Sequence, residues 1–195
     1  MDPELTADPT LDLDHRESLP AEWLFLLERH PRRDWAGQAN LGMTAQFWLD
    51  RHAAFRELGK SLKQMGGAFR RGNIEPERFP APFTRGLPVF PGEVPGHHQV
   101  EDHHYFPVFR RAEPRLAPGF ELLDRDHRTL HARLQATAEA ANALLQALAR
   151  DPGAAEGPLQ GYIGASDLLV TSMLRHLDDE EDLVIPLMIE RGEAG

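Results

Sequence analysis

Apolar residues recur along this chain at helical spacing in long, unbroken runs. Over about residues 42–71, Trp48, His52, Phe55, Leu58, Leu62, Met65 and Phe69 step by three or four, which is one face of a helix. Gly66 and Gly67 weaken its end. A further helix is opened by Pro118 and closed by Asp151-Pro152-Gly153. Its stripe is Phe120, Leu123, His127, Leu130, Leu134, Thr137, Ala141, Leu144 and Leu148. The Thr137 hydroxyl can bond a carbonyl one turn back, which keeps it compatible with the seam. The last helix runs from near Pro158 to Gly192, with Tyr162, Ser166, Leu169, Met173, His176, Glu180, Leu183 and Leu187 in line.

Between the first two long helices lies residues 72–96, a stretch with six prolines, expected to be an irregular loop. Pro95 then sits in the first turn of a second helix over about 95–112. Residues 1–19 read as a flexible lead-in. Pro20 opens a short helix that Pro31 ends, and this helix is expected to pack as a lid. No segment alternates at period two. Four apolar stripes that must bury one another predict an all-α, up-and-down four-helix bundle over 42–192, preceded by an extension over 1–41.

The stripes carry polar residues where hydrophobes belong. His52 stands between Trp48 and Phe55, His127 between Leu123 and Leu130, and His176 between Met173 and Glu180, itself a seam position. One buried histidine is ordinarily a hydrogen-bonded core residue. Several, with a buried carboxylate, call for a compensating cation, because an unpaired buried charge is costly. Trp48 and Phe55 are expected to wall such a site from water.

The second helix adds HHQVEDHH, residues 97–104, with four histidines and two acids in eight positions. His97 and Glu101, His127 and His131, and His176 and Glu180 are each four apart, so each pair projects from one helix face. HHQVEDHHYFP and HLDDEEDLVIP also echo one another, laying His97 on His176 and Glu101 on Glu180. His98 and His104 are expected to orient neighbouring ligands. Asp126 is either such a group or exposed. Asp102, Asp178, Asp179 and Asp182 are expected on solvated faces. His15, His30 and His103 read as ordinary surface histidines.

Composition narrows the chemistry. The formal net charge of −10 argues against nucleic acid and against an anionic membrane surface. With no cysteine, disulfides, thiolate nucleophiles and cysteine-ligated clusters are excluded. Any metal is held by nitrogen and oxygen, a set that suits iron, manganese or zinc. The acidic, proline-broken start does not read as a signal peptide, and the apolar run WLFLL is too short to span a membrane, so a cytoplasmic protein is expected.

From about residue 42 to 190 the chain resembles the hemerythrin-like, or HHE cation-binding, domain. The resemblance rests on His52, on HHQVED followed by FP, on DHRTLH, and on HLDDEED followed by P. It implies a hemerythrin-like bundle in which His52, His97, Glu101, His127, His176 and Glu180 ligate two iron ions, a non-haem di-iron centre with an oxo or hydroxo bridge. The two glutamates would bridge the irons. His131 matches the fifth histidine of the oxygen-carrying members. A spacing of five after the fourth-helix histidine, found in those members, points to Glu181. A spacing of four, found in other relatives, points to Glu180, as do the seam and the echo.

The implied function is reversible binding or sensing of dioxygen, nitric oxide or iron, without catalysis. With five imidazoles, two bridging carboxylates and one bridging oxygen, about one of roughly twelve positions stays open on two octahedral irons. The alternative is a di-iron enzyme or iron donor of the oxidase, peroxidase or iron–sulfur repair type. The repair relatives carry cysteines near the N-terminus, which are missing here. A ferritin-like site needs Glu-x-x-His on two helices, and only Glu101–His104 supplies it. H-E-x-x-H and a hydrolase signature are absent. A signal would pass through a separate protein partner.

Overall fold

A computed structural model describes residues 8–71, 89–151, 153 and 155–191. Residues 72–88 of the proline-rich stretch, residues 1–7 of the lead-in, Pro152 and Gly192 lie outside this range, as do the side chains of Met65 and Phe69. The described chain is helical, with no strand. Among its helices none is long and apolar enough to cross a membrane. Short 3₁₀ turns occupy Pro9–Leu11, Ala21–Trp23, Arg32–Gly37 and Pro114–Leu116. The α-helices are α1 (Phe25–Arg29), α2 (Met43–Arg70), α3 (Val89–Val100), α4 (Phe106–Ala112), α5 (Ala117–Arg150) and α6 (Glu156–Arg191), with a π-helical turn over Glu101–Tyr105 joining α3 to α4.

Several expectations are corrected. The short N-terminal helix is a 3₁₀ turn followed by the five-residue α1, broken at Leu24. Residues 89–96 are helical, not loop. Pro91 falls in the first turn of α3, where the amides have no intrahelical acceptor in any case, and only Pro95 interrupts the ladder. Residues 8–19 are not a loose lead-in either. Leu11, Leu13, Leu19 and Arg16 are all buried.

The chain divides into two compact units. One comprises Met1–Ala54, His98–His127 and Leu174–Gly195. Its core joins Leu11, Trp23, Leu26 and Trp35 to Phe106, Phe109 and Phe120 and to the run Leu183–Ile189 of α6. That run is apolar nearly all round because the N-terminal segment covers the side a bundle helix would turn to water.

The other unit comprises Phe55–His97 and Arg128–Met173. Ala141, Leu144, Ala155, Leu159, Tyr162 and Ile163 form a cluster there. Gly59 occupies a buried position in α2. A Cβ added to it would stand 2.9 Å from Val170 Cγ1, so a side chain here would force the α6 contact apart. Thr137 Oγ1 donates to the Arg133 carbonyl at 2.8 Å, the back-bond that admits it to the seam.

Candidate metal centre

The π turn decides which residues of HHQVEDHH face inward. Pro107 lacks the N–H that would bond the His103 carbonyl, and its ring crowds that carbonyl. The preceding turn widens, and the Phe106 amide bonds back five residues to Glu101. Phe106, five after Glu101, therefore lies beneath it rather than Tyr105. The inward positions become His98 and Glu101, each 1% exposed, then Phe106 and Phe109.

His98 meets His127 of α5 and His176 of α6, with one donor atom from each within 4.8 Å of the others. The His98 and His127 rings stack with centroids 3.9 Å apart, and His127 meets His176 edge-on at 4.7 Å. Beside them, His52 of α2, Glu101 and Glu180 bring their donors equally close. Glu180 divides its oxygens between the two sets. Oε1 lies 3.5 Å from His52 Nε2, and Oε2 lies 3.2 Å from His176 Nε2. Glu101 Oε2 is 3.6 Å from His127 Nε2, which in turn is 3.1 Å from His176 Nε2.

On the far side of three rings stands a carboxylate. His127 Nδ1 pairs with Asp102 Oδ1 at 2.8 Å, and His52 Nδ1 with Glu181 Oε1 at 3.1 Å. His176 Nδ1 faces Asp126 Oδ2 at 3.6 Å, an electrostatic rather than a hydrogen-bonded distance. A proton held at Nδ1 by a carboxylate leaves the Nε2 lone pair directed inward, the tautomer a metal requires. Glu180 Oε1 also accepts from the Trp48 indole Nε1 at 2.5 Å. Trp48 thus does more than wall the pocket.

The electrostatics fit a cation. Burial, then the neighbouring Glu180, pushes Glu101 well above the usual carboxylate range. Burial works against charge on His176, yet Asp126 and Glu180 push it up to about 9. His127 is lowered, by burial first. Two buried carboxylates converging with imidazole nitrogens form a nitrogen–oxygen donor set that a divalent cation would neutralise, displacing the protons. The residues present fit a metal.

Of the residues expected at the site, His52, Glu101, His127, His176 and Glu180 converge in one unit. His97 lies one residue before His98 and four before Glu101 in sequence, and its ring meets Phe55 edge-on at 5.2 Å. His131 lines a cavity with Pro95, Leu134, Gln135 and Ala138.

Several acids are corrected from solvated to bonded. Asp102 holds His127. Asp179 is 0% exposed, bonded by Arg16 and Arg175. Asp182 accepts from Arg32 at 2.7 Å. His98 sits among the donors rather than merely beside them. Adjacency was the available signal, since Asp126 precedes His127 and Glu181 follows Glu180.

The Hemerythrin HHE cation binding domain matches residues 43–188. Comparison with curated proteins and with solved structures gave no match. The matched stretch contains every donor of the cluster described above, and the chain belongs to the hemerythrin HHE cation-binding domain family.

Proposed function

We propose that this chain folds as an up-and-down four-helix bundle around a non-haem di-iron centre that reversibly binds or senses a small ligand, dioxygen or nitric oxide. The carrying observation is the division of Glu180 between His52 on one side and His176 on the other. A carboxylate shared in this way suits two metals rather than one. In this reading His52, His97, Glu101, His127, His176 and Glu180 would hold the two irons. The grouping of His98 with His127 and His176 supports His98 in the place that the oxygen-carrying relatives give to the counterpart of His131.

Bound there, two irons supply an open coordination position and a reversible change of oxidation state. The chain's own residues do the rest. Asp102, Asp126 and Glu181 orient the rings. Trp48 fixes Glu180 and, with Tyr105 at 5.0 Å, helps keep the α2 side apolar. With metal bound, the imidazoles would be neutral and would outnumber the carboxylates, a donor set that would favour reversible binding over deep oxidation. The iron-loaded protein, exposed to dioxygen or nitric oxide and then purged, should change its absorption and recover it. Multiple turnovers of an added reductant without recovery would instead favour the enzymatic alternative.

A further inference from the structure

We propose that the segment ahead of the family domain is part of the metal centre, with Arg16 and Arg32 acting as positioning residues that hold the carboxylates behind His176 and His52. The proposal rests on the metal-binding reading above.

Arg16 is buried, with its side chain fully shielded. Its Nη2 donates to Asp126 Oδ2 at 2.5 Å, its Nε to Asp179 Oδ2 at 2.7 Å, and its Nη1 to the Leu11 carbonyl at 2.7 Å. The Asp126 oxygen it grips is the one facing His176 Nδ1. Arg32 spreads its fork over Glu181 Oε2 at 2.9 Å, Asp182 Oδ1 at 2.7 Å and the Asp178 carbonyl at 2.6 Å. The other oxygen of Glu181 takes the Nδ1 side of His52.

Two parallel chains result, each running arginine, carboxylate, imidazole. Both begin before residue 43, outside the matched domain, and both end on rings whose Nε2 faces Glu180.

Burying a guanidinium is costly unless its donors are met in good geometry, as they are for Arg16. A carboxylate gripped by a planar fork cannot swing away from the ring it orients. The imidazole therefore keeps its orientation, with Nδ1 turned to the carboxylate, when the metal is absent, so less ordering is needed on binding.

The test uses full-length protein and anaerobic ferrous iron, with affinity read by chelator competition and the ligand environment by optical absorption. Arg32→Gln and Arg16→Gln should each weaken iron binding by about 10–100-fold and shift the absorption, as loss of an outer-sphere partner does. Arg32→Lys should recover part of the loss, since it keeps the charge without the fork. Adding Glu181→Gln to Arg32→Gln should cost little more. Arg32 is 39% exposed in its side chain, so its variants remain informative if Arg16→Gln fails to fold. Wild-type affinity and absorption in Arg32→Gln, with only a lower melting temperature, would overturn the proposal. A wild-type chain that takes up no ferrous iron would overturn the metal reading beneath it.

Discussion

The Trp48 indole donates to Oε1 of Glu180 across 132 positions of sequence, while the other oxygen of that glutamate turns to His176. An indole N–H has one hydrogen and no lone pair to offer, so it can only donate. Spent on a carboxylate it fixes the orientation of the plane and leaves the second oxygen aimed across the site. Trp48→Phe keeps the apolar wall and removes the donor. Ferrous affinity should fall by about an order of magnitude with helicity unchanged, as expected for a lost outer partner. Calorimetric titration checks this, and an unaltered affinity would count against a role for the indole beyond packing.

His98 and His131 make opposite predictions. His98 is 1% exposed and shares a donor cluster with His127 and His176, whereas His131 lines a cavity with Leu134 and Ala138. His98→Ala should reduce the iron content per chain and alter the absorption. His131→Ala should leave the stoichiometry unchanged. Metal quantification on the two variants decides it, and the reverse pattern would return the fifth imidazole to His131.

Glu113 offers a pH-dependent check on the fold away from the metal. Arg115 bonds both of its oxygens, at 2.8 and 2.9 Å, and Arg191 adds a contact at 3.2 Å. Together they hold its carboxyl down to about 2, against an ordinary 4.5. A carboxyl lowered on folding stabilises the protein above its unfolded pKa and loses that contribution as pH falls toward the folded value. Glu113→Gln should therefore lower the melting temperature near neutral pH, with the gap closing between about pH 4.5 and 2. A gap that stays constant over that window would show that the ionised carboxylate contributes nothing.

The stripes of α5 and α6 were legible in the sequence because both helices stay α-helical and keep one face inward. Every position from Phe120 to Leu144 on that stripe is buried, as is every one from Tyr162 to Leu187 on the next. His52, His127, His176 and Glu180 stood out there as polar residues in apolar series.

The second helix was not legible in the same way. Its buried residues Val94, His98, Glu101, Phe106 and Phe109 are spaced four, three, five and three apart, and the five is the π turn. A search at helical period cannot follow a stripe that gains a residue midway. Pro107 was visible, but a proline alone predicts a kink and not which face results. The roles of Asp179 and Glu181 were also hidden, because their partners Arg16 and Arg32 lie 163 and 149 positions earlier. A charge read only against its own helix looks solvated, and the covering N-terminal segment is what buries these.

The most direct test is iron stoichiometry as a function of pH. The proposed donors bind metal only when deprotonated, so iron and protons compete for the same nitrogen and oxygen atoms. The account predicts two irons per chain after anaerobic loading near neutral pH, and release of both at equilibrium near pH 3. A chain that acquires no iron on loading, or that retains its full complement at equilibrium near pH 3, would contradict the proposed histidine and glutamate centre.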